Sequence, residues 1–257
     1  MAGLFIDRHL ASREPLLFSW TTLPGAHQAD TYARSSLGGV MVDMQHGLIG
    51  YSGMLAMVQA VHRAGKPAFV RPPLNDFGMV SRALDLGVAA IVMPMINSAD
   101  DALKLVSAAK YAPIGERSWG PHAALNASGL SGDDYLQRAN QLTKVFGMIE
   151  TADALERVGE ICAVDGLDGV FVGPNDLSIS LSGGAVVDTA HHGVTKALPK
   201  IVAAADASGV VPGIYASNAE QVVQYQELGF RFISVASDLS ILGAGLAACL
   251  PSSTQAI

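Results

Sequence analysis

The sequence predicts a single-domain (β/α)8 TIM barrel, a fold of the α/β class, on the strength of three observations. Eight short, apolar, β-rich runs alternate with longer segments of helical period, which is the pattern of parallel βα units. Several runs are apolar on both faces, as segment 89–93 shows, and such strands belong to sheets covered by helices. The chain has 257 residues, and these barrels commonly have about 250, so we predict one barrel domain over residues 1–257.

The predicted strands and helices follow one another along the whole chain. The predicted strands are 16–20, 39–44, 68–71, 89–95, 145–150, 169–173, 211–215 and 231–236. The predicted helices are 51–64, 77–86, 99–111, 133–142, 152–163, 190–207 and 218–228. Gly65, Gly87 and Gly229 each precede a strand, where a helix end favours a residue that tolerates positive φ. Two longer connections, 112–132 and 178–188, are expected to cover an active site or to join subunits.

Composition narrows the class of protein. A formal charge of −7 without clustered Lys and Arg disfavours a nucleic-acid partner. The first residues lack the apolar core of a signal peptide, and the longest apolar run, 88–96, is too short for a bilayer. We therefore expect a cytoplasmic protein without a membrane partner. Because only 15% of the residues are charged, we also expect an oligomer. Cys162 and Cys249 lie in apolar helical segments and are predicted to be buried free thiols.

Acidic residues follow two consecutive predicted strands, at the end where parallel barrels carry their active sites. Glu150 ends the fifth strand, and Asp176 follows the sixth. Because neighbouring strands lie about 4.8 Å apart, the two carboxylates could share one cation. Two hard oxygen donors with open positions suit Mg²⁺ or Mn²⁺, and a 2-oxo acid could chelate there. Each acid could equally be a helix N-cap or a surface residue, and spacing alone does not separate these interpretations. Ser237 and Asp238, after the eighth strand, are interpreted as N-caps.

Other polar residues follow the second, third and sixth strands. Arg71 ends an apolar strand, where a buried cation needs an anion, either a substrate oxygen or an internal salt-bridge partner. His46 follows Asp43, and an imidazole oriented by a carboxylate is a general base near neutral pH. The turn from Gly173 to Asp176 opens toward a helix, and its backbone N–H groups could hold a carboxylate.

The lysines argue against an imine mechanism, which needs a lysine inside the barrel near the substrate carbonyl. Four lysines lie on predicted helices, and Lys66 and Lys144 precede strands, at the opposite end from the site. Metal activation therefore remains as the way to stabilise an enolate.

Five motifs make the chain resemble the HpcH/HpaI aldolase family, whose members are metal-dependent class II pyruvate aldolases. They are VDMQHG (42–47), VRP (70–72), VMPM (92–95), IET (149–151) and VFVGPNDLS (170–178). The resemblance extends from residue 16 to residue 247. It implies a lyase that adds pyruvate or hydroxypyruvate to aldehydes and, in reverse, cleaves 4-hydroxy-2-oxo acids. It also implies a homohexamer in which neighbouring subunits exchange the last barrel helix, here the apolar stretch 239–250.

The resemblance implies a role for each matching residue. Glu150 and Asp176 would bind a divalent cation, Mg²⁺, Mn²⁺ or Co²⁺, and Arg71 would hold the carbonyl oxygen of the 2-oxo acid. The turn containing Gly173, Asn175 and Asp176 would bind the substrate carboxylate through its backbone.

The resemblance likewise makes His46 the acid/base, acting through a water with help from Asp43 and Asp85. Two residues depart from the family pattern: Gln45 stands where Glu is frequent, and Met148 where Gln is frequent. Both changes leave open which metal and which aldehyde the enzyme prefers.

Two other functions are weighed against an aldolase. An acyl-CoA lyase would need a basic surface for the CoA phosphates, and the sequence offers Arg117 and Arg138 but no basic cluster. A non-catalytic barrel that binds 2-oxo acids would bind metal and ligand without exchanging protons, and the presence of all the matching site residues argues against it.

Overall fold

The computed structural model describes residue 6, residues 9–10 and residues 14–251, and in that part of the chain eight parallel strands close into a barrel. The strands hydrogen bond in sequence order, and the eighth pairs with the first. They are β1 (Leu16–Thr21), β2 (Val40–Asp43), β3 (Ala68–Arg71), β4 (Ala90–Met93), β5 (Lys144–Ile149), β6 (Gly169–Val172), β7 (Val211–Ala216) and β8 (Phe232–Ser237). The predicted fold class is confirmed, and all eight strands lie where the apolar runs predicted them.

Twelve helices accompany the strands in the described residues. They are α1 (Ala26–Ala33), α2 (Tyr51–Arg63), α3 (Phe77–Asp85), α4 (Ala99–Ala109), α5 (His122–Ser128), α6 (Gly132–Leu142), α7 (Ala152–Glu156), α8 (Val158–Cys162), α9 (Pro174–Leu181), α10 (His192–Ser208), α11 (Ala219–Glu227) and α12 (Asp238–Cys249). No helix of the described chain combines the length and the apolar character that crossing a bilayer requires. Gly65, Gly87 and Gly229 adopt φ values of 74°, 91° and 101°, as predicted for these helix ends.

Three helices were not predicted from the sequence. Helix α1 buries only Ala29 and Ala33, so its apolar stripe is too small to give a clear helical period. Helix α5 has seven residues and buries only Ala124 and Ser128. Helix α9 begins with Pro174 in its first turn, and the Gly-Pro pair there was interpreted as a turn. The predicted helix 152–163 is two short helices that meet at Arg157.

Aromatic side chains fill the barrel interior and form the floor of the site above them. The ring centroids of Phe18 and Phe232 lie 4.3 Å apart, and those of Phe146 and Phe232 lie 4.6 Å apart. A Cβ at Gly169 would come 2.3 Å from Phe146 Cε1, so only glycine leaves room for this ring. Trp20 stacks on Phe171 with centroids 5.7 Å apart, which places the indole at the top of this aromatic core.

The amino-terminal end of the barrel carries a buried ionic cluster. Lys110 Nζ donates to Asp168 Oδ2 at 2.6 Å and to the backbone oxygens of Asn140 and Thr143. Lys144 Nζ, at the start of β5, lies 3.1 Å from Asp168 Oδ1. Both lysines therefore lie at the amino-terminal end of the barrel, opposite the carboxyl ends of the strands. An imine mechanism would need a lysine at the carboxyl ends, near the substrate carbonyl.

Helix α12 presents apolar side chains to the surface of the isolated chain. Leu239, Leu242 and Leu246 are each more than half exposed. Cys162 is buried, as predicted, but Cys249 is exposed. The prediction for Cys249 was wrong for a single chain because α12 packs little of its apolar surface on its own barrel.

Candidate active site

A cavity of about 210 Å³ opens at the carboxyl ends of the strands. Its walls include six residues that the sequence had singled out: Asp43, His46, Arg71, Gly173, Asn175 and Asp176. They come from β2, β3 and β6 or from the loops that follow them, so the barrel brings together residues far apart in the sequence.

Asp43 and Arg71 form a buried ion pair on one wall of this cavity. Arg71 Nε donates to Asp43 Oδ1 at 2.8 Å, and Arg71 Nη2 donates to Oδ2 at 2.6 Å. The two residues are register partners in β2 and β3. Burial opposes ionisation of Asp43, but the hydrogen bonds and charge of Arg71 outweigh it and hold the pKa of this carboxyl below its usual range. The pair fixes the guanidinium in one orientation.

Trp20 supports the same ion pair from below. Its Nε1 donates to Asp43 Oδ2 at 3.2 Å, and the guanidinium carbon of Arg71 lies 4.8 Å from the centroid of its ring. A cation above an indole face gains electrostatic stabilisation when the site excludes water. Trp20 therefore holds both members of the pair.

Asp43 contacts His46 through the backbone and not through the imidazole. The backbone N–H groups of Gln45 and His46 donate to Asp43 Oδ1 at 3.0 and 3.3 Å. His46 is exposed and lines the cavity. Because Arg71, Trp20 and two amides already occupy the carboxylate, Asp43 shapes the loop that carries His46. This corrects the expectation that the carboxylate itself orients the ring.

Asp85 lies outside the cavity, at the opposite end of the barrel. It is the last residue of α3, a helix that starts at the carboxyl ends of the strands and runs back toward their amino ends. Its Oδ1 accepts a hydrogen bond from Arg117 Nη2 at 2.7 Å, and Gly120 packs against it. The predicted connection 112–132, which contains Arg117 and Gly120, therefore lies at the amino end too. Within one chain, Asp85 does not assist His46, and this connection does not cover the site.

Glu150 is a buried carboxylate with one oxygen fixed by the backbone. Its Oε1 accepts a hydrogen bond from Met95 N at 2.7 Å, and Met95 adopts a φ of 56° that few non-glycine residues take. Burial raises the pKa of Glu150 to about 7, and the nearby charge of Asp176 adds to the rise, while the Met95 amide and Arg71 act in the opposite direction. The other oxygen faces Gly173, where a Cβ would come 2.6 Å from Oε2.

The residues present fit a divalent cation. Asp176 lies in the first turn of α9, close enough to Glu150 for its charge to raise the pKa of Glu150. A cation would relieve that repulsion and the burial of Glu150 together. No cluster of three or more His, Cys, Asp or Glu side chains with metal-binding geometry occurs among the described residues, so the protein would supply two carboxylates. Two carboxylates plus water or substrate oxygens match Mg²⁺ and Mn²⁺.

The start of α9 offers backbone donors to an anion. Gly173 is the N-cap, Pro174 occupies the first turn, and the N–H groups of Asn175 and Asp176 have no acceptor inside the helix. Free N–H groups and the helix dipole favour a negative group at this position.

Met148 lies beside Arg71 in the cavity wall. It is buried, and its Sδ lies 4.0 Å from Arg71 Nη1. A thioether is a weak acceptor, so Nη1 keeps a donor available for a substrate oxygen. The other departure from the family pattern, Gln45, has a buried Oε1 without a hydrogen-bond partner in the described chain.

Trp20, Thr22, Tyr215 and Ser237 also line the cavity and were not predicted as site residues. The sequence analysis weighed charged residues at strand ends and overlooked aromatic and hydroxyl side chains there. Their positions at the ends of predicted strands were the available signal. Asp238 is structural, as predicted: its Oδ1 accepts from the Thr22 hydroxyl at 2.7 Å.

Comparison with known proteins adds an independent result. The family model described as HpcH/HpaI aldolase/citrate lyase matches residues 18–243. A relative from Rhizorhabdus wittichii named hydroxypyruvate/pyruvate aldolase is 36% identical over 230 residues, which cover 90% of each chain. A 4-hydroxy-2-oxo-heptane-1,7-dioate aldolase from Salmonella dublin is 32% identical over 95% of this chain and 92% of its own.

Solved structures agree with these matches. An HpcH/HpaI aldolase from Desulfitobacterium hafniense superposes with a TM-score of 0.90 at 28% identity, covering 97% of this chain and 99% of its own. A family protein from Burkholderia cenocepacia gives a TM-score of 0.86 at 31% identity, with coverage of 95% and 96%.

Proposed function

The chain belongs to the HpcH/HpaI aldolase/citrate lyase family, and on that premise we propose how its residues carry out metal-dependent aldol chemistry. It is a carbon–carbon lyase of the class II aldolase type that acts on small molecules. The reaction adds pyruvate or hydroxypyruvate to an aldehyde and, in reverse, cleaves a 4-hydroxy-2-oxo acid. The observation that carries the proposal is that Arg71 and Asp176 line one cavity and that the buried carboxylate of Glu150 lies directly behind Gly173 in its wall, within electrostatic reach of both.

Glu150 and Asp176 are the proposed metal ligands. When bound, a divalent cation such as Mg²⁺, Mn²⁺ or Co²⁺ supplies a Lewis acid that draws electron density from the oxygens of a 2-oxo acid. The raised pKa of Glu150 and the nearness of a second carboxylate support this assignment.

Arg71 is proposed to bind the carbonyl oxygen of the substrate. Two of its nitrogens are fixed on Asp43, and among the described residues the one acceptor recorded for the third, Nη1, is the weakly accepting Sδ of Met148 at 4.0 Å. A guanidinium held in place stabilises charge that grows on this oxygen without reorganising during the reaction. Loss of one such donor typically costs about 10²- to 10³-fold in kcat.

The start of α9 is proposed to bind the substrate carboxylate. The backbone N–H groups of Asn175 and Asp176 have no acceptor inside the helix, and both residues line the cavity. Holding the carboxylate there fixes which way the remaining carbon of the substrate points.

His46 is proposed to move the proton. It lines the cavity from the loop after β2, beside the wall that Arg71 forms. Acting directly or through one water, it takes a proton from C3 of the 2-oxo acid and later returns a proton to the alkoxide formed from the aldehyde. Such acid/base assistance is typically worth about 10²- to 10⁴-fold.

A further part of the proposal concerns the assembly. The apolar side chains of α12 and the neighbouring α1 line a groove of about 520 Å³, which includes Tyr32, Ile241 and Leu242. We propose that residues 1–257 form one domain and that six copies assemble in the cytoplasm, with α12 exchanged between neighbours. In such an assembly Asp85 could only serve the site of another subunit.

The acyl-CoA lyase alternative gains no support from the position of the arginines. Arg117 is buried at the amino end of the barrel and pairs with Asp85. Arg138 lies on α6, which leads into the start of β5. Neither therefore lies at the mouth of the cavity, where CoA phosphates would need a cation.

The proposal is tested by an aldehyde panel with pyruvate and hydroxypyruvate. We expect aldol product after adding Mg²⁺, Mn²⁺ or Co²⁺ to protein stripped with EDTA, and little product before. A thioester-dependent reaction in place of the aldol reaction would favour the alternative. Binding of metal and pyruvate without exchange of the methyl protons would favour a non-catalytic barrel.

A further inference from the structure

Three hydroxyl-bearing side chains line the cavity without a part in the mechanism above, and one of them, Thr22, is hydrogen bonded to Asp238. Tyr215 lies on β7, and Ser237 is the last residue of β8. Both stand on the wall away from Arg71 and Glu150, which come from β3 and the end of β5. The hydroxyl groups of Tyr215 and Ser237 make this wall polar, and packing against neighbouring residues holds it rigid.

The ring of Tyr215 is fixed against the aromatic core. Its edge meets Trp20 with centroids 5.5 Å apart and an interplanar angle of 88°. Burial raises the pKa of Tyr215, and the nearby Ser237 side chain is the largest effect in the opposite direction. The phenol is therefore protonated at neutral pH and can donate or accept a hydrogen bond.

A β-bulge turns Ser237 toward the cavity. In the pairing of β1 with β8, Ser19 is opposite Val235 but Trp20 is opposite Ser237, so Ala236 is an extra residue. Ala236 takes a φ of 48°, an uncommon conformation for a residue with a side chain. Bulges near active sites commonly re-aim a side chain. Because partners in a parallel pair point to the same face, Ser237 shares the inward direction of Trp20. Its Oγ also caps α12, where it accepts from Ser240 N at 3.2 Å and lies 3.0 Å from Ser240 Oγ, and a hydroxyl has one donor and two acceptor positions, so it keeps capacity for one more partner.

The proposed binding mode determines what this wall would meet. The carbonyl carbon of a 2-oxo acid is planar and carries an oxygen, a carboxylate and C3. The oxygen is assigned to Arg71, on β3, and to the cation proposed between Glu150 and Asp176, which follow β5 and β6. The substrate carboxylate is assigned to the start of α9, which also follows β6. C3 must then point to the remaining arc of the barrel, formed by β7, β8, β1 and β2. Tyr215, Ser237 and the proton-transferring His46 all lie on that arc.

We propose that Tyr215 and Ser237 form a subsite for a hydroxyl group on C3, so that the enzyme favours hydroxypyruvate-type nucleophiles over pyruvate. The subsite rests on the proposed aldolase function and deepens it. The ring of Trp20 beside it is apolar and would accept the methyl group of pyruvate, whereas the two hydroxyls give the substituted carbon a polar partner. A site that hydrogen bonds a substrate hydroxyl discriminates against the analogue that lacks it.

The test compares the two nucleophiles in wild type, Tyr215→Phe and Ser237→Ala, with one aldehyde and saturating Mn²⁺. We expect kcat/KM for hydroxypyruvate to fall about three- to tenfold in each variant, the effect of one lost hydrogen bond. The value for pyruvate should stay within about twofold, because pyruvate has no hydroxyl to lose. Tyr225→Phe is the matched control, since Tyr225 lies in α11 and packs on Phe230, away from the cavity.

A binding measurement separates recognition from turnover. Calorimetric titration with hydroxypyruvate should give a weaker Kd in Tyr215→Phe, by the same factor, and an unchanged Kd for pyruvate. An equal loss for both acids, or no loss for either, would overturn the subsite. If wild type forms no aldol product from either acid, the proposed function itself has failed, which is a different result from equal rates on both.

Discussion

Asp43 and Arg71 face each other across β2 and β3 as a bidentate pair, with Nε–Oδ1 and Nη2–Oδ2 distances of 2.8 and 2.6 Å. The side chains are 1% and 8% exposed, respectively. The arrangement leaves one guanidinium nitrogen, Nη1, without a bond to Asp43, and this nitrogen lies 4.0 Å from the Sδ of Met148 in the cavity wall. The orientation of the proposed substrate donor thus depends on a carboxylate that need not touch the substrate.

Asp43→Ala should therefore damage both stability and activity. Removing one member of a buried pair leaves an uncompensated charge, and we expect the free energy of unfolding to fall by about 3 kcal/mol. Urea denaturation measures it. The exposed pair of Asp30 with Arg34 is the control, and Asp30→Ala should change stability far less. Equal effects of the two substitutions would show that burial of the Asp43 pair contributes nothing.

The metal-free protein should lose stability as the pH rises toward neutral. The pKa of Glu150 is raised from its usual 4.5 to about 7 in the folded state. Between those values the folded protein holds a proton that the unfolded chain has lost, so stability falls with rising pH. We expect Tm in EDTA to fall between pH 5 and 7, and Glu150→Gln to flatten that dependence.

The control for this titration is Glu156→Gln, which changes an exposed glutamate on α7. Its profile should match that of wild type. Bound Mn²⁺ should also remove the fall in Tm, because a cation replaces the proton on Glu150. A wild-type profile that rises between pH 5 and 7 without metal would contradict the burial argument.

Gly173→Ala should abolish metal binding while the barrel still folds. The new Cβ would come 2.6 Å from Glu150 Oε2 and displace the carboxylate. Gly159→Ala is the matched control, because its Cβ meets nothing within 4 Å. Electron paramagnetic resonance of free Mn²⁺ gives the affinity, and circular dichroism reports the fold. Unchanged Mn²⁺ affinity in Gly173→Ala would remove Glu150 from the metal site.

Leu242→Glu should break the proposed assembly. Leu242 lies in the apolar groove between α1 and α12 and is 52% exposed in the single chain. A charge there would be buried at the interface, so the native mass should fall and Cys249 should react with a thiol reagent. Leu103→Glu, equally exposed on α4, should leave the mass unchanged. A wild-type mass equal to one chain would end the oligomer proposal.

The sequence was most informative where a residue's role follows from its place on a strand. The eight apolar runs located the barrel, and the polar residues at their ends located six of the cavity residues. Inward and outward alternation along a strand is regular, so both inferences needed only local pattern.

Other features depend on contacts between distant parts of the chain. The carboxylate of Asp43 pairs with Arg71 and does not bond to the imidazole of His46. No local sequence pattern distinguishes a carboxylate that pairs with an arginine from one that orients a histidine ring. Asp85 matched a family position, yet α3 carries it to the opposite end of the barrel. The bulge at Ala236 arises from the closure of β8 on β1, and without it Ser237 would be only the N-cap that the sequence predicted.

The central claim is that Glu150 and Asp176 share one cation beside the 2-oxo acid. Anomalous diffraction from a crystal soaked with Mn²⁺ and pyruvate tests it most directly. The account predicts one Mn²⁺ bonded to an oxygen of each carboxylate at about 2.0–2.3 Å, with pyruvate completing its coordination and Arg71 Nη1 on the carbonyl oxygen. Bound pyruvate without an ion between these two carboxylates would contradict it.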